Sequence, residues 1–306
     1  MYNISTEEDM EKIKIIVNPK SGREQSIAKL SVLIGLISKD GYKIDLRFTT
    51  KRGDALRFAS EDEGEDLIIS VGGDGTLNEV VNGMYFANRK TPLAVLQCGT
   101  VNDFATVLNI PSNIKDFYNM IKIGKVMPVD LGMAGDRVFV NVAAGGFLTD
   151  IAYQVSEDKK TILGRMAYYL EGIKEVSKIG IINDIEFKKI KFESQEYKRE
   201  EETLMFIIAN SGHIGGFKNL APDAEVYDGY LDVLIIKAIN ITDLPTLLTS
   251  ILSGSHVSHE KVEYLKTKEI KISTKEKIVI DVDGEKAGKL PMTFRVLEKA
   301  LNLVVN

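Results

Sequence analysis

Apolar positions in the first 130 residues fall into short β-branched runs separated by stretches of helical spacing, the alternation that builds a parallel α/β sheet. Ile13–Val17 reads as a strand, and Ile27, Leu30, Leu33, Ile34 and Ile37 form the apolar stripe of a helix ended by Asp40-Gly41. Strands are expected over Lys43–Phe48, Leu67–Val71 and Leu93–Gln97, with helices over Asp54–Ser60 and Thr76–Ala87 between them. After Pro128 the pattern changes. Val138–Val142, Ile185–Phe192, Thr203–Ala209, Leu231–Ile236, Lys268–Ser273 and Lys277–Val282 are short runs joined by turns, which predicts antiparallel β, interrupted by helical patterns at Ile162–Ile179 and Leu244–Leu252. The expected fold class is an N-terminal α/β domain with an open parallel sheet, residues 1–130, followed by a mostly antiparallel β-sandwich, residues 131–306. The last residues are left room to pack back on the first domain, and a cleft is expected where the two meet.

A chain of 306 residues suits two domains. With 39 Lys and Arg against 44 Asp and Glu, the formal charge of -5 removes a uniformly basic surface, so no nucleic-acid partner is expected. One cysteine, Cys98, cannot form an intramolecular disulfide, and three scattered histidines make no thiolate-rich metal site. Glu7, Glu8 and Asp9 stand where a signal peptide would carry a basic segment, and the apolar runs Leu204–Ala209 and Val233–Ile236 are far below the roughly 20 residues that span a bilayer. A cytoplasmic location is expected, with loose contact at the membrane surface left open.

The chemistry concentrates at strand ends. Ser70-Val71-Gly72-Gly73-Asp74-Gly75-Thr76-Leu77-Asn78-Glu79 runs from an apolar strand through three glycines into a helix, and Thr76 with Glu79 fits a capping box that would start the helix after Gly75. Free amides, a helix dipole and glycines that admit close approach favour an anion, and a phosphate is the natural one. Asn18-Pro19-Lys20-Ser21-Gly22 and Cys98-Gly99-Thr100-Val101-Asn102-Asp103-Phe104 are similar turns. In an open parallel sheet, ligands bind beyond the carboxyl ends of the strands, so the three turns should converge. Neither a Walker motif nor GxGxxG is present.

These motifs, with Asp228-Gly229-Tyr230-Leu231-Asp232 and Asp283-Gly284-Glu285, resemble the bacterial soluble diacylglycerol kinases and related lipid kinases, whose catalytic domain is shared with sphingosine kinases. The likeness runs from residue 12 onward, and the five motifs in order carry it, since Gly-Gly-Asp-Gly-Thr by itself also occurs in NAD kinases. The resemblance implies a diacylglycerol kinase-like fold and ATP-dependent phosphorylation of a lipid hydroxyl, giving phosphatidic acid from diacylglycerol. It further implies ATP on Asn18, Pro19, Lys20, Ser21, Gly22, Thr49, Gly72, Gly73, Asp74, Gly75, Thr76, Leu77, Asn78 and Thr100. Asp74, Asp103 and Glu285 are the implied catalytic carboxylates, with Glu285 as proton acceptor, and Mg2+ is implied on Glu225, Asp228 and Tyr230. The implied partners are ATP, a lipid and a transient membrane surface at the inner face; a homodimer stays open. The alternatives are an NAD kinase, though no Thr-, Gly- and Ser-rich NAD segment is evident, and a nucleotide-binding protein without turnover.

Spacing does not choose between Asp283 and Glu285 as the base, and Asp283-Gly284 is also a common hairpin signal. His256 and His259 read as a solvated loop, and Lys198–Glu202 as a charged hairpin edge. Tyr168, Tyr169 and Leu170, with Ile173 and Val176, read as the core-facing stripe of a helix in preference to a lipid port.

Overall fold

The computed structural model describes residues 2–3, 11–98, 102–147, 149, 187–214, 220–240 and 243–306. The expected helix Ile162–Ile179 with its tyrosines, the Met1–Met10 segment apart from residues 2–3, and Gly99, Thr100 and Val101 lie outside the described residues. The chain divides into two compact units, Met1–Asp130 with Glu298–Asn306, and Leu131–Leu297.

In the first unit the two-residue strand β1 (Tyr2–Asn3) is followed by β2 (Lys12–Val17), α1 (Arg23–Lys39), β3 (Lys43–Phe48), α2 (Asp54–Ser60), β4 (Leu67–Gly72), α3 (Asp74–Phe86), β5 (Leu93–Gln97), α4 (Asp103–Val107) and α5 (Ile114–Ile123). The strands lie parallel in the order β3-β2-β4-β5. Beyond β5, Leu303 near the chain's end pairs with Leu93. β2, β4 and β5 are buried on both faces, which is why they read as continuous apolar runs, whereas β3 at the edge alternates Lys43, Asp45 and Arg47 with apolar residues. On α1 the buried face runs through Ser26, Leu30, Leu33 and Ile37; Ile27, expected in the stripe, is 58% exposed. The spacing 26, 30, 33, 37 holds one face of a 3.6-residue helix, and Ile27 falls a hundred degrees away from Ser26. The helix α5 was not evident as a pattern, although Asn113 caps it by accepting from the Lys115 and Asp116 amides and Gly124, at φ 65°, closes it.

Beneath α2 lies a buried ionic cluster. Lys14 Nζ is 3.0 Å and Arg89 Nη2 is 2.7 Å from Glu65 Oε1, and Lys14 Nζ also donates to the Phe58 and Glu61 carbonyls that end α2. The cluster therefore anchors a helix end to β2, with the exposed Asp62, 3.4 Å from Arg89 Nη2, as the second carboxylate beside the two cations.

In the second unit β6 (Lys125–Ala134), entering from the first, forms a hairpin with β7 (Arg137–Phe139), followed by β8 (Val142–Gly146), β9 (Lys188–Glu193), β10 (Lys198–Ala209), β11 (Leu231–Lys237), α6 (Leu244–Ser253), β12 (Val262–Thr267), β13 (Glu269–Ser273), β14 (Val279–Val282), β15 (Glu285–Lys289) and β16 (Met292–Val304). Two antiparallel ladders share the long strand β10. Its second half lies in the order β15-β14-β8-β10-β11-β12, and its first half continues β10-β9-β13-β16. Between them Phe206 meets Phe192 and Phe294 edge-on, at centroid distances of 5.8 and 6.3 Å, in a core that includes Phe139, Ile208, Ile272 and Ile280. Leu247 and Ile251 of α6 join Ile207, Leu234 and Ile236 in a second apolar cluster. The expected class, an α/β parallel sheet plus an antiparallel sandwich, is the one observed.

Two expectations change here. Val138–Val142 is not one strand: the ladder breaks at Val140 and Asn141, whose amides turn to a side chain, Asp283, in place of a neighbouring strand. His256 is fully buried in the short 3-10 turn Ser255–Ser258, with Nε2 2.9 Å from the Leu220 carbonyl, and burial lowers its pKa. It is a packing anchor rather than part of a solvated loop.

Candidate active site

At the carboxyl end of the parallel sheet the loops are bonded to one another. Each strand hands its ladder on to the next loop: Asn18 N donates to the Val71 carbonyl, Thr49 N to Val17 and Cys98 N to Gly72, at 2.9, 2.9 and 3.1 Å. Asn18 Nδ2 donates to Thr76 Oγ1 at 3.0 Å, and Asn18 Oδ1 accepts from Lys20 N, so the first turn is locked onto the start of α3. Gly22 has φ 61°, and a Cβ there would come 2.1 Å from the Cys98 carbonyl oxygen; a Cβ on Gly72 would come 2.6 Å from the Thr76 side chain. Both positions require glycine for the loops to close on one another. Gly75 differs. It is exposed, and a Cβ there would meet nothing within 4 Å, so the fold itself does not demand its missing side chain.

α3 starts at Asp74 with Gly73 as its cap, two residues before the expected start and without a capping box. Glu79 is instead engaged with the neighbouring loop, accepting from Gly53 N at 2.9 Å and Ala55 N at 3.2 Å, the orphan amides at the start of α2. Asp54 shapes that loop from within: its Oδ2 takes the Thr50 amide, the Thr50 hydroxyl and the Lys51 amide, and these bonds pull its pKa down to about 2. Asp74 Oδ2 accepts from Asn102 N at 3.2 Å, and Asn102, at φ 52°, leads into the buried Asp103. Thus Asn18–Gly22, Thr49, Gly72–Thr76, Asp74 and Asp103 are gathered at one end of the sheet. Leu77 and Asn78 point into the unit and are buried, with Asn78 Oδ1 accepting from Asn82 Nδ2.

In the second unit Asp283 and Gly284, both at positive φ (47° and 86°), form the tight turn between β14 and β15. Asp283 is buried, and its carboxylate accepts from the Val140, Asn141 and Val142 amides at 2.7, 3.0 and 2.9 Å. Glu285, two residues on, is half-buried and ion-paired to Arg137, with Nη2 to Oε2 at 2.5 Å. The two carboxylates that spacing left equivalent thus occupy different environments, one committed to the backbone and one facing a guanidinium at a partly open edge.

The expected metal set lies on the turn before β11. Asp228 Oδ1 accepts from Tyr230 N, and its Oδ2 is 2.6 Å from Lys266 Nζ, which also donates to the Asp223 carbonyl at 2.6 Å and stands 3.8 Å from Asp232 Oδ2. Glu225 and Tyr230 are exposed. Among the described residues no three His, Cys, Asp or Glu side chains are grouped to hold a metal ion. The Lys266 ammonium supplies the positive charge among these oxygens, and in this arrangement the donor set does not fit a resident Mg2+ ion. Burial pushes the Asp232 carboxyl up to about 6 against the opposing hydrogen bond from Tyr264, and Asp232 Oδ2 has no hydrogen-bond partner.

Arg137, Asp54 and Lys266 carry no expectation from the sequence, and Glu79 was expected to cap its own helix and not α2. Asp54 could have been found, since an acid that follows Thr-Lys-Arg-Gly at a helix start is a common turn former; Arg137 and Lys266 act across the chain and leave no local signal.

Residues 12–134 match the family model described as diacylglycerol kinase catalytic domain, and residues 142–305 match the one described as YegS C-terminal NAD kinase beta sandwich-like domain. A diacylglycerol kinase of Staphylococcus aureus (strain MRSA252) is 36% identical over 292 residues, 95% of this chain and 91% of its own. A diacylglycerol kinase of Bacillus subtilis (strain 168) is 34% identical over 299 residues, 97% of either chain. A crystal structure from Bacillus anthracis str. Sterne superposes with a TM-score of 0.81 at 27% identity, covering 97% of this chain and 98% of that one.

Proposed function

This chain belongs to the diacylglycerol kinase family and is a lipid kinase, and from there we propose that it transfers the γ-phosphoryl group of MgATP to the hydroxyl of diacylglycerol, giving phosphatidic acid. The substrate is taken from the names of the relatives; the observation that carries the nucleotide half is Gly75, a bare position on interlocked loops that the fold leaves room to substitute. Phosphoryl transfer is almost wholly positioning and charge stabilisation. The glycine turn Gly72–Thr76 at the start of α3, with Asn18–Gly22, Thr49 and Thr100, receives the phosphates. Asp74 and Asp103 supply the negative charge that orients the magnesium ion arriving with ATP; that ion screens the phosphate oxygens. Glu285 accepts the proton of the lipid hydroxyl.

Among the described residues no helix is long and apolar enough to cross a membrane. Diacylglycerol is a membrane lipid, and the reading of it as substrate carries with it transient docking of the enzyme on the membrane surface.

The deciding experiment supplies γ-labelled ATP and magnesium with vesicles carrying diacylglycerol, phosphatidylglycerol, a sphingoid base or a polyprenol, and with NAD in a parallel reaction. Label is expected in phosphatidic acid; label in NADP in its place would overturn the lipid reading, and label in another lipid would replace the substrate. Asp74→Asn, which keeps an acceptor for the Asn102 amide, is expected to fold normally and lose about 10²-fold or more in turnover.

The glycines give a second check. Gly75→Ala is expected to leave Tm unchanged and raise the KM for ATP, because its methyl group enters space that only a ligand would fill. Gly72→Ala, which must displace Thr76, is expected to cost stability by about 1–3 kcal/mol. A Gly75→Ala protein with unaltered ATP kinetics would remove the phosphate from this turn.

A further inference from the structure

The geometry points to Arg137 as the positioning residue for Glu285, a role that rests on the reading of Glu285 as proton acceptor. Its guanidinium spans two groups on β15, with Nη2 2.5 Å from Glu285 Oε2 and Nη1 2.9 Å from the carbonyl of Lys286. The two side chains are 27% and 29% exposed, so the pair is half out of water at an open edge and not sealed in the core.

The backbones that carry the pair are tied together at several points. Arg137 begins β7 opposite Ala134, across a turn in which Gly135 takes φ 61°. Three residues along, Val140, Asn141 and Val142 donate their amides to Asp283, and Asp283 N donates back to the Val142 carbonyl at 2.9 Å. Asp281 Oδ1 accepts from Gly284 N at 2.8 Å and braces the turn that precedes Glu285. Against this rigid frame Glu285 keeps three rotatable side-chain bonds. A general base must lie within hydrogen-bond reach of the proton it removes, and a displacement of about 1 Å costs on the order of 10² in rate. A planar fork that grips both the carboxylate and the adjacent carbonyl removes that freedom.

Arg137 does not compete for the proton, since a guanidinium stays protonated throughout. In the step it serves, the lipid O–H bond breaks and its proton passes to the Glu285 carboxylate. The freed oxygen forms the bond to the γ-phosphorus, and the bond from that phosphorus to the β,γ-bridging oxygen breaks with its electron pair leaving on ADP.

The test is a cycle of Arg137→Gln, Arg137→Lys, Glu285→Gln and the double variant Arg137→Gln/Glu285→Gln, each assayed for kcat, the KM for ATP and Tm. Arg137→Gln is expected to lower kcat about 10- to 100-fold with KM and Tm unchanged. Arg137→Lys, which restores a cation without the fork, is expected to recover part of that loss. The double variant is expected to be no slower than Glu285→Gln, because a residue that works only through Glu285 has nothing left to position. Full activity of Arg137→Gln beside an inactive Glu285→Gln overturns the role of Arg137 and leaves the base in place. An active Glu285→Gln overturns the base itself. Equal losses in Arg137→Gln and Arg137→Lys with lowered Tm, or losses that multiply in the double variant, assign Arg137 elsewhere and also overturn the inference.

Discussion

Glu285→Gln is expected to lower kcat by about 10²- to 10⁴-fold, the usual worth of a general base, while Tm and the KM for ATP stay where they are. Glutamine keeps the length and a carbonyl for Arg137 to hold but takes no proton. Asp283, its neighbour in sequence, should behave differently. Three backbone amides at 2.7 to 3.0 Å depend on its buried carboxylate. Asp283→Ala orphans them in a buried setting at about 1–3 kcal/mol for each group, so its main signature is a lowered Tm. Steady-state kinetics on vesicles beside a thermal melt separates the two. If Glu285→Gln keeps its turnover while Asp283→Asn remains folded and loses it, the base is Asp283.

Glu65→Ala is expected to destabilise the first unit by about 3–5 kcal/mol, because it strips the shared partner from two buried cations, leaving Lys14 without a carboxylate and Arg89 with only the exposed Asp62. Lys14 and Glu65 have side-chain exposures of 1% and 0%, and Arg89 donates to the same Oε1. Burial pushes the Glu65 carboxyl up, yet the bonds from Lys14, its own amide, Arg89 and the Glu63 amide outweigh burial, and its pKa lies below the ordinary value. The sign follows: a carboxyl with a depressed folded pKa contributes stability that is complete above its unfolded value, near 4.3, and is lost as the pH falls through the folded one. Denaturant unfolding at pH 7 and again below pH 4 should therefore show the Glu65→Ala deficit shrinking in acid. A deficit below 1 kcal/mol at pH 7, or one that grows in acid, would contradict the role given to the cluster.

Much of the first unit was legible in the chain. Parallel strands buried on both faces must be continuous apolar runs, so Ile13–Val17, Leu67–Val71 and Leu93–Gln97 announced themselves. The turns after them were legible because a strand that passes directly into glycines and a helix has few other uses. The errors came where a local pattern had two physical solutions. Thr76 and Glu79 satisfy the capping-box spacing, but the orphan amides of α2 lie within reach of Glu79, and the helix began at Asp74. Val138–Val142 has the composition of a strand, and only Asp283, more than 140 residues away, breaks it.

By itself, then, the sequence determined the alternation of strand and helix, the antiparallel second half and the glycine turns, since each follows from a period or a backbone conformation carried by residues a few positions apart. The tertiary structure decided which of two carboxylates is scaffold and which faces a guanidinium, that Lys266 stands among the acidic groups of the Asp228 turn, and that His256 is buried. Those outcomes depend on hydrogen bonds and ion pairs between distant segments, such as Arg137 with Glu285 and Lys266 with Asp228. A charged side chain acquires its role from the partner that folding brings to it, and the spacing of residues along the chain carries no record of that partner.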